Sequence, residues 1–237
     1  MTIALPELPE NPCLFPDPIT ALDSPNGLLA FGGDLSPTRL MSAYRLGIFP
    51  WFNPGEPILW WSPNPRAVAR PGDVYLSRSL AKWLRKTPYR YTLNRAFTQV
   101  LDGCSAPRKE QQGTWLSPLM RAAYIQLHQL RLAHSLEVWL DDELVGGLYG
   151  VAIGKIFCGE SMFHRRSNAS KAAFVMLHQH LAAVGTQLID CQLMNPHLAS
   201  LGVLEIPRGQ FLDLLAALRD GTVQPDAWLP QELHHVG

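Results

Sequence analysis

The sequence predicts an α+β fold, and three observations carry it. Residues 144–193 read as two strands, a helix and a third strand, LVGGLYGVAIGKIFCGESMF, HRRSNASKAAFVMLHQHLAAVG and TQLIDCQL. Just upstream, SLEVWLDDELVGGLYG has the pattern of two strands turning at Asp141 and Asp142. An amphipathic helix, RGQFLDLLAALRDG, follows the third strand. Paired antiparallel strands, a helix, a strand and a helix make an α+β domain.

In chain order, the N-terminal region is the most turn-rich. Twelve of the 20 prolines lie in the first 65 residues, which predicts a compact unit of short elements, taken here as a small domain of residues 1–62 ahead of a larger one of 63–237. Within it, DLSPTRLMSAYRLG predicts a helix with Ser36 as N-cap, Pro37 at the first helical position and Gly47 just past the end. Phe49, Trp51, Phe52, Trp60 and Trp61 then fall within 13 residues. Such density fits a core, because aromatic side chains bury large areas. It equally fits a platform for a nucleobase, where stacking contributes about 1 to 3 kcal/mol per base.

From Arg66 to Arg95 eight basic residues face one acid, Asp73, for a formal charge of +7. In RSLAKWLRK the spacing sets Arg78, Lys82 and Arg85 on one helical face and Leu80, Trp83 and Leu84 on the other, with Lys86 adjoining. Either this is an ordinary solvated face, or it is a phosphate-binding patch in an otherwise neutral protein. Two more helices are predicted, NRAFTQVLDG capped by Asn94 and SPLMRAAYIQLHQL opened by Ser117 and Pro118. Beyond the central unit, MNPHLASLG predicts a short helix capped by Asn195.

The central unit holds the candidate chemistry. A period of two in IFCGESMF sets Ile156, Cys158, Glu160 and Met162 on one face. In LIDCQL it sets Leu188, Asp190 and Gln192 together, so an acid and an amide share a face roughly 7 Å apart at about 3.3 Å per residue. Carboxylates among apolar neighbours need cations or hydrogen-bond donors. Glu160 and Asp190 are therefore expected to flank a cleft between splayed strands rather than face solvent at a sheet edge. His164, His178 and His180 are read as structural or surface groups, so no Ser, His and Asp set is evident.

Composition bounds the class. A hydrophobic content of 47% with 17% charged residues describes a folded chain, and 20 basic against 20 acidic residues leave net charge silent about partners. Cys13, Cys104, Cys158 and Cys191 form no CxxC pair and sit in apolar runs, which predicts reduced, buried thiols and a cytoplasmic setting. No signal peptide is expected at MTIALPELPENP, and no apolar run approaches the roughly 18 residues of a membrane span. The lack of a heptad pattern favours a monomer.

Across nearly its whole length the chain resembles the leucyl/phenylalanyl-tRNA-protein transferases. The segments that carry the likeness are PNGLLAFGGDLSPTRLMSAYRLGIFPWF, PILWWSPNPRAV, GTWLSPLMRAAY, HSLEVWLDDELVGGLYGVAIGKIFCGESMF, NASK, and LIDCQL followed by HLASLG. The resemblance implies a small N-terminal domain packed on a larger GNAT-like acyltransferase domain with a mixed sheet. It implies transfer of Leu or Phe, and less readily Met, from aminoacyl-tRNA to the α-amine of proteins with N-terminal Arg or Lys. The product would carry an N-end-rule degradation signal, and no metal or dissociable cofactor would be needed.

Four tasks then have candidates. Glu160 would answer the cationic first side chain of the acceptor. Gln192 would accept a hydrogen bond from the α-amine, with Asp190 orienting the amide through its NH2 group. Family mechanisms give Asp190 and Gln192 a proton relay, whereas a neutral amide, a very weak base, favours orientation. By the resemblance, Leu148, Phe157, Cys158, Leu177, Leu181 and Ile189 would wall the pocket for the Leu or Phe side chain, although each also fits plain core. The family carries aromatic side chains where Leu177 and Leu181 stand. Tyr44, Trp51, Trp115 and Tyr124 match its positions for the 3′-terminal adenosine, and the basic segment from Arg66 to Arg90, with Arg78, Lys82, Arg85 and Lys86, would hold the acceptor stem. Two competing functions remain. An acetyl-CoA-dependent GNAT enzyme would want a glycine-containing loop where RRSNASK stands, and a non-catalytic RNA-binding module would leave Glu160, Asp190 and Gln192 without a task.

Overall fold

The computed structural model describes residues 5–106 and 116–235. A 3-10 turn at Pro18–Thr20 leads into a small antiparallel sheet of β1 (Leu28–Phe31), β2 (Phe49–Pro50) and β3 (Leu59–Trp61), in the order β1-β3-β2. Between the first two strands, α1 (Pro37–Arg45) starts as its sequence predicts. The Ser36 hydroxyl accepts the Arg39 N–H, and Gly47 at φ 76° turns the chain out of the helix.

The remaining elements are, in order, β4 (Arg66–Ala69), α2 (Arg78–Leu84), β5 (Arg90–Leu93), α3 (Phe97–Ser105), α4 (Pro118–Gln129), β6 (Ala133–Leu140), β7 (Glu143–Ile153), β8 (Ile156–His164), α5 (Ala169–Val184), β9 (Leu188–Gln192), α6 (Pro196–Ala199), β10 (Leu204–Ile206), α7 (Arg208–Leu218) and β11 (Gln231–Leu233). Their strands form one mixed sheet in the order β10-β4-β9-β8-β7-β6-β5-β11. Its pairs are antiparallel except β8 with β9, which run parallel on either side of α5. The α+β class, the mixed sheet and the small N-terminal unit packed on it are as predicted, and that unit is built on a three-stranded sheet of its own.

Each face of the large sheet carries its own core. On one side α5 lies nearly engulfed, with 12 of its 16 residues buried, as befits a helix that is apolar all round. Leu80 and Leu84 of α2 join that core. On the other side α1, α3, α4 and α7 pack together with Trp60, Phe49 and Ile48 from the N-terminal unit. The two sheets divide between Trp61 and Arg66, yet this core runs across the division without a break.

Several local expectations are corrected. Helix α3 begins at Phe97, not after Asn94. Asn94 instead takes a left-handed φ of 56° and ties β6 to the C-terminal segment, accepting the Ser135 N–H and donating to the Trp228 carbonyl. The buried Glu137 carboxylate serves the start of α3, accepting the Arg95 and Ala96 N–H groups and the Thr92 and Ser135 hydroxyls. Met162 sits on the α5 face, opposite Ile156 and Cys158, because Glu160 is an extra residue in β8: Tyr149 pairs with Ser161 and Gly150 with Gly159. Gly150 permits the bulge, since a Cβ there would lie 2.2 Å from the Cys158 carbonyl oxygen. Cys13 is exposed and Cys191 half-buried, not buried as expected, while Cys104 and Cys158 are buried as predicted.

Two of the histidines are deeply buried. Burial pushes His178 down to about 4 and His134 down to about 3. Both titrate near 6.5 in an unfolded chain. A folded pKa below the unfolded one gives stability that is whole above about pH 6.5 and drains away as pH falls toward 4, by up to about 1.4 kcal/mol per pH unit per histidine. Neither ring nitrogen of His178 has a well-formed hydrogen bond, so its polarity contributes little at neutral pH. Glu160, raised to about 7, titrates with the opposite sign in wild type and in a His178 variant alike, so the two are compared with each other. In urea unfolding, the midpoint of His178→Leu relative to wild type should therefore rise as the pH is lowered from 7 to 5; an unchanged difference would contradict the assignment.

Candidate active site

The site forms where β8 and β9 part company. The two strands are paired only from Ile156–Leu188 to Cys158–Asp190. Beyond that point Glu160 stands on the bulge of β8 and Gln192 ends β9, so both side chains project into the gap from the face opposite α5.

Asp190 is answered by a cation from β4. Arg66 Nε donates to Oδ1 at 2.8 Å and Nη2 donates to Oδ2 at 2.7 Å, with the two side chains 1% and 2% exposed. Two buried charges persist only with this kind of bidentate geometry, since desolvation of either one alone is costly. Oδ1 also accepts the main-chain N–H of Gln192 at 2.9 Å, closing a short turn in which Gln192 has φ 63°. The Gln192 amide then swings to Glu160, donating from Nε2 to Oε1 at 2.8 Å. Asp190 thus holds Gln192 through the main chain, and it is Glu160 that touches the NH2 group. The expectation that Asp190 acts on that group is corrected.

Glu160 is met by neutral donors. Tyr124 donates its hydroxyl to Oε2 at 2.7 Å, and with that proton committed the Tyr44 hydroxyl is the donor in its own 2.7 Å contact with Tyr124. Burial pushes the Glu160 carboxyl up to about 7, against the opposing pull of the Tyr124, Tyr44 and Gln192 donors, with the Asp190 charge adding to the rise. Among the described residues no Lys or Arg forms an ion pair with Glu160. Burial likewise holds the Tyr44 and Tyr124 hydroxyls well above their usual range, as protonated donors.

Other predicted residues lie elsewhere. Leu148, Phe157, Leu177, Leu181 and Ile189 pack together on the α5 face, none more than 3% exposed, whereas Cys158 faces the site side of the sheet. Burial raises the thiols of Cys158 and Cys191, so neither supplies a thiolate. Trp51 is 44% exposed and meets Trp61 edge-on at 5.5 Å beside a cavity of about 60 Å³ that Leu193 also lines. Phe49, Phe52 and Trp60 are buried, so the aromatic cluster divides between core and surface. Trp115 lies outside the described residues. Arg78, Lys82, Arg85 and Lys86 are all exposed along α2 and its end, and a cavity of about 290 Å³ opens nearby between Arg90 and β11, holding none of the side chains around Glu160.

Arg66 departs most from its sequence context. It opens the basic stretch, and no motif links it to an acid 124 positions later; only β4 lying beside β9 does so. The resulting constellation has no nucleophile with an attendant base, and among the described residues no cluster of three metal-ligating side chains exists. What it offers is a hydrogen-bonding cradle: a carboxyl poised near neutrality, an oriented amide and two tyrosine hydroxyls.

The model of the leucyl/phenylalanyl-tRNA protein transferase family matches residues 68–216, and that of its N-terminal domain matches residues 33–64. A leucyl/phenylalanyl-tRNA–protein transferase of Shewanella woodyi is 59% identical over 219 residues, covering 92% of this chain and 93% of its relative. That of Shewanella oneidensis is 57% identical over the same shares. Among solved structures, a GCN5-related N-acetyltransferase from Kribbella flavida aligns at a TM-score of 0.39 and 11% identity, over 71% of this chain and 60% of that one. L-PGS from Bacillus licheniformis aligns at 0.41 and 13%, over 87% and 65%. Likeness at that distance does not bear on function. With both family models matched in succession and identity near 60% along almost the whole length, this chain belongs to the leucyl/phenylalanyl-tRNA–protein transferases and is a transferase enzyme.

Proposed function

We propose that the enzyme transfers Leu or Phe, and less readily Met, from aminoacyl-tRNA to the α-amine of proteins that begin with Arg or Lys, marking them for N-end-rule degradation. The observation that carries this reading is the Gln192 amide held by Glu160 at the mouth of the parted strands. With Nε2 donated to the carboxyl, the amide oxygen is turned away from Glu160 and can accept a hydrogen bond from an incoming amine.

The reaction is aminolysis of an activated ester. The amine nitrogen attacks the ester carbonyl carbon, the ester C–O bond breaks, and the terminal ribose hydroxyl leaves with a proton. An α-amine titrates near 8, so a useful fraction is already neutral at physiological pH. Holding amine and ester in attack geometry can then supply much of the acceleration without a strong base. Glu160 is the proposed counter-ion for the first Arg or Lys side chain: it has the right charge when ionised and lacks a cation of its own among the described residues. The proposed aminoacyl pocket is the cluster of Leu148, Phe157, Leu177, Leu181 and Ile189, with Cys158 across the sheet. Tyr44, Trp51, Tyr124 and Trp115 are the proposed contacts of the terminal adenosine. The exposed cations of α2 are the proposed contacts of the acceptor stem.

Radiolabelled Leu-tRNA incubated with peptides beginning with Arg, Lys or Ala should label the first two and spare the third. Gln192→Ala should lower kcat at least about 100-fold while tRNA affinity stays close to wild type; normal single-turnover chemistry in that variant would refute its role.

Because Glu160 titrates near 7, kcat/KM for the Arg peptide should climb as pH rises through 7, ahead of the climb that follows amine deprotonation near 8. Glu160→Gln should remove the earlier rise and keep the later one. A wild-type profile in that variant would exclude Glu160 as the counter-ion.

Neutralising Arg78, Lys82 and Arg85 together should weaken tRNA binding and lower the slope of log affinity against log salt by about 2 to 3, because each phosphate contact contributes roughly 0.7 to 0.9. An unchanged slope would place the acceptor stem elsewhere.

A further inference from the structure

Arg66 makes two kinds of contact, and both bear on Asp190. Its fork takes both carboxylate oxygens, at 2.8 and 2.7 Å. Its guanidinium carbon lies over two aromatic rings, 5.0 Å from the centre of Phe49 in β2 and 4.5 Å from that of Phe211 in α7. Its remaining nitrogen, Nη1, is buried without a partner among the described residues, and there every hydrogen bond that its guanidinium makes goes to this one acid. The rings pack against the guanidinium, and the bidentate fork aligns the planes of guanidinium and carboxylate. In that arrangement Oδ1 accepts the Gln192 N–H at 2.9 Å.

Gln192 depends on that turn. A side-chain-bearing residue at φ 63° occupies a sparsely populated region and stays there only if its surroundings compel it. Asp190 supplies the compulsion through the main-chain N–H, and the resulting turn lets the amide reach back to Glu160 across the gap. We propose that Arg66 is a positioning residue for the transfer step: it holds Asp190, and through Asp190 the left-handed turn at Gln192 that presents the amide to the amine. Lysine cannot substitute, because a point charge on a flexible stem fixes neither plane. This inference rests on the proposed transfer reaction and adds to it a residue that contacts no substrate.

The test uses the full chain, Leu-tRNA and a peptide beginning with Arg. Arg66→Lys should lower kcat at saturating substrates at least about tenfold while KM for the aminoacyl-tRNA moves less than about twofold. Native-state amide exchange should quicken at least about tenfold at Gln192 and stay unchanged at Val151 in β7. Combined with Asp190→Asn, Arg66→Lys should slow the reaction no further than Asp190→Asn alone, since the two act through one turn. Arg208, which ties α7 to the N-terminal unit through the Ser62, Ile19 and Ala21 carbonyls, is the control. Arg208→Lys should lower Tm and leave kcat in place.

Wild-type kcat or unaltered Gln192 exchange in Arg66→Lys overturns the inference, as does additivity in the double variant or an equal loss of kcat in Arg208→Lys. Should Arg66→Lys fail to fold, Phe211→Leu removes one flanking ring and should cost about threefold in kcat with faster exchange at Gln192. Wild-type values for both measurements in Phe211→Leu would equally overturn the inference. A wild type that cannot label the Arg peptide refutes the transfer reading itself. An active wild type with an equally active Arg66→Lys refutes only the role of Arg66.

Discussion

The structure depends on two parallel strands that stop pairing. Past Cys158 and Asp190 the ladder between β8 and β9 ends, and side chains take over the hydrogen bonding between the two strands. Buried polar groups require partners, so whatever occupies the gap must bring donors and acceptors. Here Glu160 and Gln192 occupy it, each through a local break in strand geometry: a bulge on one side and a left-handed residue on the other. Neither break stands on its own. The bulge has Tyr124 to receive its carboxylate, and the turn has Asp190 to bind its N–H.

The two acids of the site are satisfied in opposite ways. Asp190 is locked in a bidentate pair with Arg66 and has almost no surface. Glu160 is met by an amide and a phenol, which are polar but uncharged, and burial lifts it to about 7. A pair of this kind separates two duties. The charge-paired acid is a fixed structural point, and the acid surrounded by neutral donors keeps the capacity to change its charge or to answer an incoming cation.

The N-terminal unit takes part in the same arrangement. The Phe49 ring lies 5.0 Å from the guanidinium carbon of Arg66, Tyr44 ends the hydrogen-bond chain that reaches Glu160, and Trp60 belongs to the shared core with no exposure at all. Phe211 of α7 also packs against Arg66, and Arg208 reaches three carbonyls of the N-terminal unit. The sheet that ends at Trp61 and the one that begins at Arg66 therefore share one core, and the side chains of the site come from the chain on either side of that interval.

The sequence by itself determined the elements whose signals are local. Ser36, Ser117 and Asn195 cap the helices they were expected to cap, the strand, helix and strand around α5 lie where period and turn residues put them, and Asp190 shares a face with Gln192. The quoted motifs also disclosed the family. Only the tertiary structure decided the partners. Strand β4 is four residues long and reads as part of a basic stretch, so nothing local says that Arg66 will lie beside Asp190. A single extra residue in β8 reverses the face of everything after it, which is why Met162 lies across the sheet from Cys158. Periodicity is a property of neighbours along the chain, whereas charge pairing, burial and the pKa of Glu160 belong to neighbours in space, and those are set only once distant strands have met.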